Sequence, residues 1–136
     1  MRLVVDANAL FSSLIRDGLT RRVWFDPQVI LFAPAHLLVE FSKYRDYLLA
    51  KYRGPPKDFD RLLEKTLRQV EFLPDEELLP YFQAAAVLVP DPKDWPYVAC
   101  ALKENTAIWT HDPHFFGQRR IKVYSTKELA DELGLL

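Results

Sequence analysis

The chain has 136 residues, and 49% of them are hydrophobic, which is enough for one compact domain with a real core. We therefore predict a single domain over residues 1–136. Lys and Arg total 18 against 19 for Asp and Glu, so the net charge of -1 excludes a general attraction to polyanions. A nucleic-acid partner would need a local basic patch.

The sequence also indicates the cellular setting. Cys100 is the single cysteine, which excludes an internal disulfide and suits a reducing cytosol. No apolar run reaches the ~18 residues of a membrane span. The chain opens on a strand pattern, without the basic flank and apolar core of a signal peptide. We expect a cytoplasmic protein with no membrane partner.

Short apolar runs predict strands, and apolar residues at helical spacing predict helices. The predicted strands cover residues 3–5, 29–32, 71–73, 107–110 and 121–124. The predicted helices cover residues 9–14, 35–53, 57–70, 75–88 and 95–105, and a last helix follows Ser125, which forms a capping box with Glu128. Pro80 is compatible with the 75–88 helix only near its first turn.

Strands that alternate with helices indicate an α/β fold in three layers, with a parallel sheet covered on both faces. In such sheets ligands bind beyond the carboxyl ends of the strands, where the strand order reverses. Asp6 and Asp112 lie at or just past two of these ends. We therefore expect a functional site there.

Four acids share this predicted location. Asp6 follows the first strand, Glu40 interrupts the apolar opening turn of the second long helix, Asp94 is placed as a helix N-cap, and Asp112 follows the strand that ends in Trp-Thr. Each acid alone has an ordinary structural explanation, as a strand end, a solvated helix face, a cap or a turn residue. No Lys or Arg close in sequence neutralises Asp6, Glu40 or Asp112. Asp91 is a fifth candidate.

A cluster of carboxylates is costly unless a cation compensates the repulsion, so we predict a divalent metal. Oxygen ligands favour Mg2+ or Mn2+, whereas zinc favours His and Cys. His111 and His114 are the alternative, as a zinc pair, but no cysteine completes a tetrahedral set. Asn8 and Thr110 are short polar residues that can orient a carboxylate or a metal-bound water.

Four motifs in order resemble the PIN-domain family, which includes the VapC-type toxin ribonucleases. VVDANAL is similar to the opening strand with its first Asp, and LLVEFSKY to the segment that carries a Glu. DWPYVACAL resembles the helix that begins with a third acid, and IWTHDPHF resembles a strand with a T-x-D ending. The resemblance covers nearly the whole chain, although Pro96 is unusual inside its motif.

The resemblance implies a central parallel five-stranded sheet and an acidic pocket that holds Mg2+ or Mn2+. It also implies metal-assisted hydrolysis of phosphodiester bonds in single-stranded RNA. The acids implied for catalysis and metal binding are Asp6, Glu40, Asp94 and Asp112, with Asn8 and Thr110 in support. In the DPKD segment Asp94 fits the motif better than Asp91, which can still reach the site.

Several alternatives remain open at this point. A receiver domain would need a lysine at the end of the last strand, and a haloacid dehalogenase-type phosphatase would need a second acid at Asn8. A PIN fold that only binds RNA or serves as a scaffold is the main competitor. The resemblance allows a toxin with a cognate antitoxin, and a homodimer that would use the aromatic residues Trp24, Phe25 and Tyr81.

Two groups of cations are candidates for contacts with the RNA backbone. The first comprises Lys43, Arg45, Lys51 and Arg53, and the second comprises Arg119, Arg120 and Lys122. Tyr44, Tyr47 and Trp95 are candidates for stacking on bases, although packing is the commoner role of such residues.

Overall fold

A computed structural model describes all of residues 1–136. The strands are β1 (Arg2–Val5), β2 (Ile30–Pro34), β3 (Val70–Leu73), β4 (Ala107–Trp109) and β5 (Val123–Tyr124). The helices are α1 (Ala7–Ile15), α2 (Leu19–Trp24), α3 (His36–Lys51), α4 (Phe59–Arg68), α5 (Asp75–Leu78), α6 (Phe82–Leu88), α7 (Trp95–Glu104) and α8 (Thr126–Glu132). Short 3-10 turns cover Pro56–Asp58, Leu79–Tyr81 and Pro113–Gly117.

All five strands form one parallel sheet in the order β3-β2-β1-β4-β5. The chain builds outward from β1 to β3 on one side and then crosses back to place β4 on the other side. The strand order therefore reverses between β1 and β4, which is where ligands bind in sheets of this kind. Val5 pairs with Trp109, so the residues that follow these two strands leave the sheet at the same level.

Helices cover both faces of the sheet, which confirms the predicted three-layer α/β/α fold. On one face α7 packs across β1, β2 and β4, together with α5 and α6. On the other face α1 packs against α2, α3 and α4, and α2 packs against α8. The strands are short and almost wholly apolar, as strands buried on both faces must be.

The core is one continuous cluster that includes both Trp24 and Trp109. Their ring centroids lie 5.8 Å apart, and the Trp24 indole donates a hydrogen bond of 2.9 Å to the carbonyl of Thr66. Phe25 and Tyr81 are partly buried and pack against the same cluster. The prediction that Trp24, Phe25 and Tyr81 are surplus to the core was therefore wrong, because this small domain uses all three aromatics internally.

Some boundaries differ from the predicted ones. The 75–88 helix is interrupted by the 3-10 turn Leu79–Tyr81, because Pro80 has no N–H to continue the α-helical ladder. The helix after Gly54 ends at Arg68, since Val70 already pairs with Leu31 in the sheet. None of the helices combines the length and apolar character that crossing a membrane requires.

Candidate active site

Asp6 stands at the point where β1 ends and α1 begins, and its side chain caps that helix. Its Oδ1 accepts a hydrogen bond of 3.0 Å from the backbone N–H of Ala9. Its Oδ2 accepts a hydrogen bond from the hydroxyl of Thr110, which directly follows β4. The parallel pairing of β1 with β4 explains this contact, because it places the two residues side by side. Asp6 is buried and fixed on both oxygens.

Thr110 connects two of the candidate acids. Its hydroxyl donates to Asp6, and the same oxygen accepts a hydrogen bond of 2.9 Å from the backbone N–H of Asp112. Thr110 is fully buried, so neither partner is easily replaced by water. The T-x-D segment therefore fixes the direction in which the chain leaves β4, and with it the position of Asp112.

Glu40 lies in the second turn of α3 and faces α7 across the cavity mouth. Its Oε1 accepts a hydrogen bond of 2.9 Å from the hydroxyl of Tyr97, and His36 Nε2 lies 3.6 Å from the same oxygen. The Glu40 side chain is 30% exposed, so it is neither in open water nor fully enclosed. This agrees with the expectation that Glu40 lies where the helix meets the sheet.

Asp94 occupies the N-cap position of α7, as predicted, but its side chain makes no capping hydrogen bond. Pro96 occupies the first turn and lacks an N–H, which leaves fewer donors there for a capping side chain. Asp94 is only 9% exposed, and its Oδ2 is buried without a hydrogen-bond partner. A buried, unpaired carboxylate oxygen is costly, and a cation ligand would satisfy it.

Two further side chains approach Asp94. Asp91, Asp94 and His114 each offer one ligand atom, and these three atoms all lie within 4.8 Å of one another. His114 Nδ1 is 3.7 Å from Asp94 Oδ2 and 3.4 Å from Asp112 Oδ1. Asp112 in turn accepts a hydrogen bond of 2.9 Å from the backbone N–H of His114. Asp91 therefore lies beside the predicted acids, as the sequence allowed.

A single cavity of about 530 Å3 joins these residues. It lies beyond the carboxyl ends of β1 and β4, as the fold predicts. The residues from the predicted site that line it are Asp6, Asn8, Glu40, Asp91, Asp94 and Asp112. The other polar residues that line it are His36, Lys43, Tyr44, Lys93, Tyr97 and His114. Thr110 lies behind Asp6 and Asp112 and is not itself part of the lining.

The cavity favours uncharged acids as long as no cation is present. Burial raises the pKa of Asp6 above its ordinary value of 3.8, against the lowering effect of the Thr110 hydrogen bond. Burial, and then the negative charges of Asp112 and Asp91, raise the pKa of Asp94 to about 6. Burial and the neighbouring Glu40 carboxylate also raise the pKa of the Tyr97 phenol, which keeps that group a donor. No Lys or Arg forms an ion pair with these acids.

The donor set fits a hard divalent cation. Carboxylate oxygens predominate, and one of them is buried without a hydrogen-bond partner. Burial, and then charge repulsion within the cluster, raises the pKa of Asp94. The alternative of a zinc pair does not fit, because His111 Nε2 is 2.7 Å from the hydroxyl of Thr126 and does not line the cavity. Trp109 donates to that same hydroxyl oxygen at 2.9 Å.

Sequence reasoning missed Tyr97 and underestimated His114. Tyr97 lies one helical turn after Asp94, so its spacing places it on the same face of α7. A polar aromatic at that spacing was the signal that could have identified it. His114 was considered only as a zinc ligand, because the sequence does not show that the turn at Pro113 directs it towards Asp94.

The two predicted groups of cations are placed differently. In the first group, Lys43 lines the cavity, whereas Arg45 pairs with Asp60. The second group, at 119–122, precedes β5 and so lies at the amino edge of the sheet, opposite the acids. That group lines no part of the cavity, and its contact with an RNA backbone stays a prediction.

Together the fold and the cavity define an α/β protein with a carboxylate-rich site at the switch point of a parallel sheet. The sequence model of the PIN domain matches residues 4–133 of the 136-residue chain. The chain therefore belongs to the PIN-domain family, whose members are generally metal-dependent nucleases that act on nucleic acid. Comparison with curated proteins finds no relative that matches the chain.

Proposed function

We propose that this protein is a metal-dependent endoribonuclease that hydrolyses phosphodiester bonds in single-stranded RNA. The observation that carries the proposal is the buried, unpartnered Oδ2 of Asp94 in a cavity lined by four further carboxylates. Membership of a nuclease family supports the reaction type. The acids proposed to hold Mg2+ or Mn2+ and to act in catalysis are Asp6, Glu40, Asp94 and Asp112, with Asp91 as a further candidate ligand.

The chain's own residues would act mainly by position. Thr110 holds Asp6 and the backbone of Asp112, and Tyr97 holds Glu40, so three acids are oriented before substrate arrives. When bound, Mg2+ or Mn2+ supplies Lewis-acid stabilisation of the phosphate charge and activates water as the nucleophile. No side chain of the cavity needs to form a covalent bond with the substrate.

Lys43 would complement the acids by attracting the RNA backbone to the cavity mouth. It lines the cavity and forms no ion pair, so its charge is available to a phosphate. Asn8 also lines the cavity and offers an amide for a hydrogen bond. Asn8 therefore remains proposed as a supporting residue.

Cleavage of a panel of unstructured RNAs tests this function. Wild-type protein with Mn2+ or Mg2+ should cleave them, EDTA should stop the reaction, and added metal should restore it. The Asp6→Asn, Glu40→Gln, Asp94→Asn and Asp112→Asn variants should each lose about a hundredfold in rate, as losses of metal ligands do. Lys122→Ala, prepared in parallel, changes a charge outside the cavity and should keep the wild-type rate.

Equal cleavage by wild type and Asp94→Asn would indicate a contaminating nuclease and contradict the proposal, as would cleavage that persists in EDTA. A protein that binds RNA but cleaves none of the panel would favour the non-catalytic binding module instead. The toxin role, the cognate antitoxin, the homodimer and the cytoplasmic location stay predictions. A neighbouring reading frame for a small antitoxin tests the first two, and light scattering tests the homodimer.

A further inference from the structure

A second groove opens directly beside the acidic cavity. It has a volume of about 630 Å3, within the range of about 300–1,000 Å3 of ligand pockets, and it lies between α1 and the middle of α3. Ala7, Asn8, Glu40 and Tyr44 line both the groove and the acidic cavity. A chain seated at the acids would therefore pass into this groove without leaving the surface.

The groove presents aromatic rings, and Glu40 is the one carboxylate among its lining residues. Tyr44 and Tyr47 are 49% and 57% exposed, although large apolar rings are normally covered. The Phe11 ring packs against the Tyr44 ring, with ring centroids 5.5 Å apart and a tilt of 55° between the ring planes. Both tyrosines lie on the face of α3 that also carries Glu40, since the spacings of three and four residues follow the helical repeat. The Tyr44 ring is therefore supported beside the acids, and the Tyr47 ring follows it along the same face of α3.

Cations surround these rings. Arg16 lines the groove, and the Lys51 ammonium lies 5.6 Å from the centroid of the Tyr47 ring. Lys43 lies on the shared side, on the wall of the acidic cavity. None of these three cations forms an ion pair with a carboxylate. A purely apolar occupant would leave these charges without a partner, whereas a strand of nucleotides supplies both bases and phosphates.

We propose that this groove binds one or two nucleobases of the RNA strand next to the bond cleaved at the acids, by stacking on Tyr44 and Tyr47, while Arg16, Lys43 and Lys51 contact the adjoining phosphates. The inference rests on the proposed ribonuclease function and names a base-binding subsite for it. Tyr44 and Tyr47 are binding residues in this account and do not take part in the chemistry.

The test compares binding of two probes in metal-free buffer with EDTA, so that nothing is cleaved. One probe is a fluorescein-labelled oligouridine of about ten residues, and the other is the same chain with abasic riboses in place of the nucleotides. By fluorescence anisotropy, wild type should bind oligouridine about tenfold or more tightly than the abasic chain, as expected for base–aromatic stacking. Tyr44→Ala and Tyr47→Ala should each remove most of that preference, and Tyr44→Phe should keep it.

The charge variants should behave differently from the aromatic ones. Arg16→Ala and Lys51→Ala should weaken the binding of both probes by the same factor and reduce the salt dependence of binding. Val87→Ala removes an apolar side chain that is 83% exposed and outside the groove, so it should leave both affinities unchanged. Circular dichroism and a Mn2+ titration on each variant show whether fold and acidic cavity are intact.

Equal affinity of wild type for the two probes would overturn the inference, and so would tyrosine variants that bind oligouridine as wild type does. A dimer in light scattering that Tyr47→Ala converts to a monomer would show that a second copy occupies the groove, which also overturns it. If wild type shows no base preference but cleaves RNA with Mn2+, only the proposed subsite fails. If base preference holds but no RNA is cleaved, the groove stands and the ribonuclease proposal fails.

Discussion

Tyr97 and Glu40 lie 57 residues apart in sequence, and the Tyr97 hydroxyl donates a hydrogen bond of 2.9 Å to Glu40 Oε1. This contact joins α7 to α3 across the mouth of the acidic cavity. Tyr97 is only 4% exposed, so its hydroxyl has little access to water as an alternative partner. The bond therefore determines where the carboxylate of Glu40 points.

Removal of that hydroxyl should weaken metal binding more than folding. We expect Tyr97→Phe to lower the affinity for Mn2+ by about tenfold, as losses of groups that orient a ligand do. Unfolding in urea should show a loss of only about 1 kcal/mol, the usual net value of one hydrogen bond. Tyr81→Phe, outside the cavity, is the matched control and should alter neither quantity. Unchanged Mn2+ affinity in Tyr97→Phe would remove the positioning role.

Thr110 offers a second test of ligand orientation. Thr110→Val keeps the shape but removes the donor to Asp6 and the acceptor for the backbone N–H of Asp112. We expect a loss of stability of about 1–3 kcal/mol, because Asp6 Oδ2 and the backbone N–H of Asp112 each lose their hydrogen bond. The affinity for Mn2+ should fall by about tenfold. Thr110→Ser keeps the hydroxyl and should restore most of both. Equal Mn2+ affinity in the Val and Ser variants would contradict this account.

Without metal, the charge on Asp94 should destabilise the fold. Its pKa is about 6 in the folded protein against an ordinary 3.8, so the folded state holds this proton more tightly than the unfolded state. The stabilising contribution is present at low pH and is lost as the pH rises from about 4 through 6. Asp94 makes no side-chain hydrogen bond that a substitution would break.

Asp94→Asn should therefore be more stable than wild type in EDTA at about pH 8, by roughly 1–2 kcal/mol after allowance for solvent screening. The difference should shrink towards zero near pH 4, where the carboxyl group of the folded protein is already protonated. Urea denaturation at both pH values, with Mn2+-free samples, measures the difference. A variant less stable than wild type at the higher pH would show that burial and the neighbouring acids do not destabilise the charged form of Asp94.

The position of the cations gives a prediction about RNA affinity. Lys43→Ala should weaken binding of single-stranded RNA and reduce the magnitude of the salt slope by roughly 0.7, the contribution of one phosphate contact to a single strand. Arg120→Ala is the matched control, because it removes a positive charge from the opposite edge of the sheet. Filter binding over a range of salt concentrations measures both slopes. Equal effects of the two variants would indicate a non-specific attraction.

The sequence was sufficient to predict the architecture, because its apolar runs are short, lie at regular intervals and are separated by helical stripes. It also placed Asp6 and Asp112 together, since the ends of parallel strands meet at one edge. It could not show that α3 and α7 approach each other across the cavity, so the contact of Tyr97 with Glu40 had to come from the structure. Contacts between distant helices leave no local pattern.

Local rules failed most clearly around Asp94. An acid before a helix usually caps it, yet here the side chain is buried among other acids without a hydrogen bond. The capping rule considers only the neighbouring backbone, whereas the environment of Asp94 is set by Asp91 of the same DPKD segment and by Asp112 and His114 from a distant one. A side chain that departs from its local role is often functional, and that departure supports the proposed site.

The central claim is that the acids form one divalent metal site, and a calorimetric titration of Mn2+ into wild type and Asp94→Asn at about pH 7.5 tests it directly. We predict saturable binding by wild type and a loss of affinity in the variant of about tenfold or more, because the variant lacks a carboxylate ligand. Lys122→Ala, at the opposite edge of the sheet, should bind as wild type does. No binding by wild type, or equal binding by wild type and Asp94→Asn, would contradict the account.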